Sequence, residues 1–150
     1  MLTEYVLVKF LHILVAILAL GTSAGLGIVL EFYGDHPEHG SFVLRAVERI
    51  VAFFVLPGYV LMLVTGLLMV ELSWSLTARW IQAALALWGL GLVALGASLL
   101  ALRRQRTLFE REGPLPASYR RVARLARGLG AAGGLIIVVV LYLMVVKPWS

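Results

Sequence analysis

The chain has 150 residues, of which 61% are hydrophobic and 14% are charged, with a net charge of +5 and no cysteine. A soluble domain is roughly half apolar and a quarter charged, so this composition indicates a membrane protein. The missing cysteines exclude disulfides, thiolate metal sites and iron–sulfur clusters. The positive charge does not indicate nucleic-acid binding, because the arginines cluster beside apolar segments and no separate basic domain is available.

Four apolar segments follow one another along the chain, each of about the 20 residues that a bilayer crossing requires. Backbone groups in lipid must be satisfied internally, and the segments lack polar alternation, so helices are expected. The sequence therefore predicts an all-α fold: a four-transmembrane-helix bundle forming one integral membrane domain over residues 1–150. The predicted spans are 5–30, 50–70, 80–102 and 128–146.

Loop charges predict the orientation of the spans. Segment 103–127 carries eight arginines against two glutamates, whereas the N-terminus and the loop after the second span are nearly free of basic residues. The positive-inside rule then places the first and third loops in the cytoplasm and both termini outside. Aromatic residues at the span ends fit this orientation, with an outer belt of Tyr5, Trp74, Trp80 and Trp149 and an inner group of Phe32, Tyr33 and Tyr119.

The third loop is predicted to be a helical hairpin rather than a flexible linker. Gly113-Pro114-Leu115-Pro116 breaks a helix, and the arginine-rich segments on both sides favour helices. The third and fourth helices should therefore extend into the cytoplasm. Arg120, Arg124 and Arg127 would share one helix face, which we interpret as an anchor for anionic lipid or as a contact with a partner protein.

His12 is the most informative polar residue, because an ionisable side chain inside a bilayer is costly to retain. It lies roughly 10 Å below the outer belt, counted at about 1.5 Å per residue. The same count places Met62, Trp88 and Tyr142 at a similar depth. Imidazole and thioether both ligate haem iron, so these residues are candidates for a haem site with His12 as the metal ligand. The alternative is a buried histidine hydrogen-bonded to a hydroxyl such as that of Thr65 or Tyr142.

Other features predict packing and turns rather than chemistry. Pro57, beside Gly58, should kink the second span. The segment Asp35-His36-Pro37-Glu38-His39 is interpreted as a solvated turn, since Pro37 disrupts the spacing of a metal site. No Ser–His–Asp set and no phosphate-binding loop is present. Glycines are expected to mark helix contacts in three spans: Gly21, Gly25, Gly89, Gly91, Gly96, Gly130 and Gly134.

The segment Leu7-Val8-Lys9-Phe10-Leu11-His12-Ile13-Leu14, with a lysine three residues before the histidine, resembles a known group of bacterial four-span membrane proteins. They are related to the copper-resistance CopD domain and to HemJ-type protoporphyrinogen oxidase. Further similar features are Pro57, Thr65-Gly66 and a tryptophan at the start of the third span, Trp74 or Trp80. The resemblance implies a bacterial inner-membrane location and b-type haem, with His12 matching the family's first-helix histidine.

The resemblance does not extend to the third-span residues expected of the HemJ-type oxidase. Trp80 and Gln82 stand in the region of its lysine, and Trp88-Gly89-Leu90-Gly91 in the region of its histidine. Porphyrinogen oxidation is therefore not expected. A bound haem would be five-coordinate, take Met62 as a second ligand, or lie between two protomers that each donate His12.

The leading interpretation is an oligomeric membrane protein with a haem b redox or haem-handling role centred on His12. One alternative is a non-catalytic accessory subunit that packs into a larger membrane complex. Another is a CopD-like transporter of metal ions or small solutes. Whether any reaction is catalysed is left open.

Overall fold

The computed structural model describes residues 2–148, and this part of the chain is entirely helices, turns and short connections. Four of its helical segments are long and apolar enough to cross a membrane, which confirms the predicted four-span, all-α fold. Trp149, predicted in the outer belt, lies outside the described residues. The helices are α1 (Leu2–Tyr33), α2 (Gly40–Ile50), α3 (Leu56–Ser73), α4 (Arg79–Glu112) and α5 (Ala117–Val146).

Helices α4 and α5 form the extended hairpin that the sequence predicts. At 34 residues, α4 is roughly 50 Å long, well beyond the ~30 Å of bilayer hydrocarbon. It is followed by Gly113, whose positive φ of 79° is a backbone conformation that glycine adopts without a Cβ clash. Pro116 then immediately precedes α5. The fixed φ of the proline ring and its extended backbone suit the position just before a helix begins.

The helix that contains the second crossing begins at Gly40, ten residues before the predicted start of that crossing. Helix α2 passes through a π-helical turn, Val51–Val55, directly into α3. Pro57 lies just beyond that turn, and its ring lacks an N–H and would crowd the carbonyl four residues earlier. The wider π turn accommodates the missing hydrogen bond and the crowded ring. A π turn therefore lies just before Pro57, where the sequence predicts a kink. The connection between α1 and α2 shrinks to six residues, 34–39.

The helices pack as two pairs joined at one end. Helix α1 packs mainly on α3, and α4 packs along α5, while α2 contacts both α1 and α4. The hydrophobic core lies at this joined end, which we call the inner end. Its buried members come from α2, α4 and α5: Leu44, Val47, Leu102, Phe109, Tyr119 and Ala123.

Hydrogen bonds and ion pairs reinforce the inner end. The Tyr119 hydroxyl lies 2.6 Å from Asp35 Oδ1 and 3.2 Å from the Gly34 carbonyl, and it accepts a bond from Gln105 at 2.9 Å. Arg127 pairs with the other Asp35 oxygen at 2.9 Å. The 35–39 turn is exposed, as predicted, but Asp35 is tied to α5. Tyr119 is fully buried, so its predicted place in an inner aromatic belt is wrong.

Glycine contacts differ from those predicted. A Cβ on Gly58 would lie 2.8 Å from the Ala19 Cβ, and a Cβ on Gly91 would collide with the Tyr59 hydroxyl. These two glycines let helices approach closely. Of the seven glycines expected at helix contacts, only Gly91 has such a contact among the described residues. A Cβ on any of the other six would meet nothing within 4 Å.

Candidate functional site: an intramembrane histidine beside an apolar cavity

His12 is buried on α1 and bonded to the facing helix. Its Nδ1 lies 2.8 Å from the Thr65 Oγ1 on α3, and both residues are among the buried polar side chains. Gly66, the neighbour of Thr65, lies against the ring, and a Cβ there would touch the imidazole Cε1 at 3.4 Å. Of the two hydroxyl partners considered from the sequence, Thr65 is therefore the one in contact. Tyr142 is exposed on α5.

The Thr65 hydroxyl indicates which imidazole nitrogen carries the proton. Its oxygen lies 2.8 Å from the Leu61 carbonyl and 3.1 Å from the Met62 carbonyl, and both are acceptors only. If the Thr65 hydroxyl donated its proton to His12 instead, the lone pairs of Thr65 Oγ1 and of the Leu61 carbonyl oxygen would face each other at 2.8 Å. The hydroxyl therefore donates to its own helix and accepts from Nδ1–H. We assign the Nδ1–H tautomer on this basis, which leaves the lone pair on Nε2.

A cavity of about 720 Å³ lies beside His12, at the end of the molecule opposite the hydrophobic core. It opens where the α1–α3 pair and the α4–α5 pair diverge, and side chains from all four helices line it. The wall is mainly aliphatic and aromatic. This volume lies within the ~300–1,000 Å³ range of small-molecule and cofactor sites.

Cations and aromatic rings surround the outer mouth of the cavity. Lys147 Nζ lies 4.2 Å from the Trp74 ring centre and 5.8 Å from that of Trp80, and the two indoles meet edge to face. Trp74 Nε1 donates to the Tyr5 hydroxyl at 3.4 Å. Lys9 also lines the cavity. The mouth thus combines two ammonium groups with amphipathic rings, which suits an anionic group at the membrane surface.

Trp80 differs from its predicted role in the outer aromatic belt. Its side chain lines the cavity and is only 8% exposed. Its Nε1 is the one buried side-chain nitrogen or oxygen without a hydrogen-bond partner in the part of the chain that the structure describes. Trp80 therefore belongs to the cavity wall, whereas Tyr5 and Trp74 remain at the outer mouth.

The four candidate cofactor residues are not all brought together. His12, Met62 and Trp88 line the cavity, and Tyr142 does not. Trp88 is also engaged with Tyr59, because the rings stack at 5.3 Å and Trp88 Nε1 donates to the Tyr59 carbonyl at 3.3 Å. Sequence reasoning missed Tyr59. The one hint was Gly91, one turn along α4 from Trp88, because its missing side chain leaves the space that the Tyr59 hydroxyl occupies.

The cavity offers one imidazole and no acidic side chain. No cluster of three or more His, Asp or Glu residues suited to a metal ion occurs within residues 2–148. His36 and His39 stack on each other at 4.8 Å in the exposed 34–39 connection, away from the cavity. The site can therefore supply one strong nitrogen ligand, three thioethers (Met62, Met69 and Met144) and an apolar wall.

The fold and this site define a class: a four-span integral membrane protein with a buried histidine next to an intramembrane cavity. The chain belongs to the family of predicted integral membrane proteins DUF2269, whose model matches residues 6–148. No curated protein and no solved structure matches the chain.

Proposed function

We propose that this integral membrane protein binds b-type haem in the outer cavity, with His12 Nε2 as the iron ligand. The observation that carries the proposal is the 2.8 Å contact between His12 Nδ1 and Thr65 Oγ1. With the Nδ1–H tautomer assigned above, this contact fixes the ring and leaves the lone pair on Nε2. Metal-ligating histidines characteristically donate the N–H of their other ring nitrogen to a neighbouring acceptor, which sets the tautomer and the ring orientation.

The surroundings of His12 fit such a group. A porphyrin is largely apolar and carries two carboxylates at one edge, and the cavity is apolar with Lys9 and Lys147 at its outer mouth. The ammonium groups would hold the carboxylates, while the aliphatic wall would exclude water from the iron. When bound, b-type haem supplies a one-electron couple whose potential depends on ligation, hydrogen bonding and burial.

The residues that line the cavity also supply a candidate for a second iron ligand. Met62 is the thioether nearest in sequence to Thr65, and it is buried in the cavity wall. A site with His12 and Met62, a five-coordinate site, and a site shared between two protomers are all compatible with the single histidine that each chain places at the cavity. The first-span resemblance to CopD- and HemJ-related proteins supports a haem role, and the residues in the third span argue against oxidase chemistry.

The visible spectrum of protein purified from haem-replete cells tests the proposal, as isolated and after dithionite. We expect a Soret band with reduced α and β bands at a stoichiometry of at least one haem per two chains. The band should be lost in His12→Ala and retained in a His36→Ala/His39→Ala double variant, which changes exposed residues only. Far-UV circular dichroism and gel filtration verify that His12→Ala is folded.

Two results would overturn the proposal. One is a colourless wild-type protein that also fails to take up added hemin. The other is a full spectrum retained in folded His12→Ala, which would remove His12 from the site.

An accessory role in a larger membrane complex is the second candidate, and the outward-facing glycines favour it. Gly25 on α1 and Gly130 and Gly134 on α5 are exposed with open space beside them, which suits close packing of a partner helix. Stoichiometric co-purification of other subunits in mild detergent, with no cofactor absorbance, would support this role.

We further propose a bacterial inner-membrane location with both termini outside. The arginine-rich α4–α5 hairpin supports this orientation through the positive-inside rule. Within that hairpin, Arg103, Arg106 and Arg127 form ion pairs with glutamates or aspartate. The exposed Arg120 and Arg124 form none among residues 2–148, so they are the residues proposed to contact anionic lipid.

A further inference from the structure

A second crevice lies at the inner end, between α2 and α4, and is separate from the His12 cavity. It has a volume of about 490 Å³ and is lined by Arg45, Glu48, Arg49, Phe53 and Arg106. Arg45, Arg49 and Phe53 follow one another at intervals of four residues. They form a continuous stripe down α2 and into the π turn.

The charges in the crevice are unbalanced. Glu48 bonds to Arg106 at 2.7 Å and to Arg103 at 3.2 Å, and its side chain is only 16% exposed. Glu110 bonds to Arg45 at 3.1 Å and to Arg106 at 3.3 Å. Two carboxylates thus face four guanidinium groups, counting Arg49, which has no carboxylate partner among the described residues. The paired carboxylates hold the neighbouring guanidiniums in place and leave a net positive charge.

Phe53 gives the crevice an apolar border. Its side chain is 81% exposed. Because it lies inside a segment apolar enough to cross a membrane, the exposed ring would face lipid. Arg49 lies one turn above it at the edge of the apolar region. On the facing helix, Arg103 and Arg106 follow the last apolar residues of the third crossing. The cationic side therefore lies at headgroup level, and the phenyl ring lies at the level of the acyl chains.

We infer that this crevice is a binding site for one anionic phospholipid. The phosphodiester would lie among Arg45, Arg49 and Arg106, and an acyl chain would lie along Phe53. Guanidinium groups bind phosphate oxygens in a bidentate manner, and basic pockets between helices at this level suit anionic headgroups. A free phosphate ion would use the arginines but would gain nothing from Phe53.

Native mass spectrometry of the full chain in detergent tests the inference, with phosphatidylglycerol, phosphatidylcholine and inorganic phosphate as separate probes. We expect the wild type to retain one phosphatidylglycerol in preference to phosphatidylcholine. Arg49→Gln should weaken that first binding event by about fivefold, and Arg45→Gln/Arg49→Gln by more. Phe53→Ala should weaken phosphatidylglycerol binding and leave any inorganic phosphate binding unchanged.

The matched control is Arg120→Gln/Arg124→Gln, which removes the same charge from the exposed face of α5. It should leave the first phosphatidylglycerol in place and reduce only weaker, additional lipid. Arg49 is exposed and forms no ion pair within residues 2–148, so Arg49→Gln should keep the fold. Equal retention of the two lipids, equal losses in the control, or equal binding of inorganic phosphate would each overturn the inference.

Discussion

The imidazole Nδ1 of His12 and the hydroxyl of Thr65 lie 2.8 Å apart, joining α1 to α3 across 53 residues of sequence. Thr65 also donates to a carbonyl of its own helix. The hydroxyl therefore serves two helices at once, and the ring orientation depends on it.

Replacing Thr65 by valine should destabilise the protein by about 1–3 kcal/mol, because a buried imidazole N–H loses its acceptor. Thr65→Ser keeps the hydroxyl and is the control. Unfolding in mixed micelles of mild detergent and dodecyl sulfate measures both. Equal stability of the valine and serine variants would show that the bond is not needed to hold α1 on α3.

Gly58→Ala should destabilise the α1–α3 pair by roughly 1–3 kcal/mol, because the new methyl would stand 2.8 Å from the Ala19 Cβ and neither backbone can move easily. Gly89→Ala is the matched change in open space, where better helix propensity should be neutral or stabilising by about 0.5–1 kcal/mol. The same micelle unfolding assay separates them. A Gly58→Ala protein as stable as wild type would contradict the close approach of these helices.

Tyr119→Phe should cost about 1–3 kcal/mol, because Gln105 and Asp35 lose their shared partner inside the packed inner end. Tyr33→Phe removes a hydroxyl from an exposed ring and should change little. Thermal unfolding followed by circular dichroism compares the two variants. If both lose stability equally, the Tyr119 network does not hold the inner end together.

The absence of native cysteine makes the orientation directly testable. Leu115→Cys places a thiol at the tip of the α4–α5 hairpin, and Leu76→Cys places one between α3 and α4; both positions are exposed. A membrane-impermeant maleimide should label position 76 in intact spheroplasts and position 115 only after permeabilisation. The reverse pattern would invert the proposed topology.

The sequence predicts the crossings well because each is a long apolar run that only a helix can satisfy in lipid. The extended hairpin was also predictable, since Gly113 and the two prolines leave a short turn between helix-forming segments. Thr65 was identified as one possible partner of His12 because a buried imidazole needs a hydrogen-bonding group such as a hydroxyl. Depth counting alone also grouped Tyr142 with His12, and Tyr142 is exposed.

Contacts that depend on helix rotation could not be derived in the same way. Trp80 and Tyr119 are of the residue types typical of interfacial aromatic belts, yet both are buried. The direction in which a side chain points depends on how its helix packs, which the sequence does not show. Most glycines expected at contacts face outward for the same reason. The pairing of Asp35 with Arg127 spans 92 residues, and nothing in either local segment indicates it.

The residues that hold the four helices together at the inner end are different from those that line the outer cavity. If haem binds at His12 as proposed, the chain would therefore not need it to insert and reach its native topology. Biogenesis would then proceed in two independent stages, membrane insertion first and loading second. On that proposal, a cell that runs short of haem would accumulate an intact, unloaded protein in its membrane rather than a misfolded one.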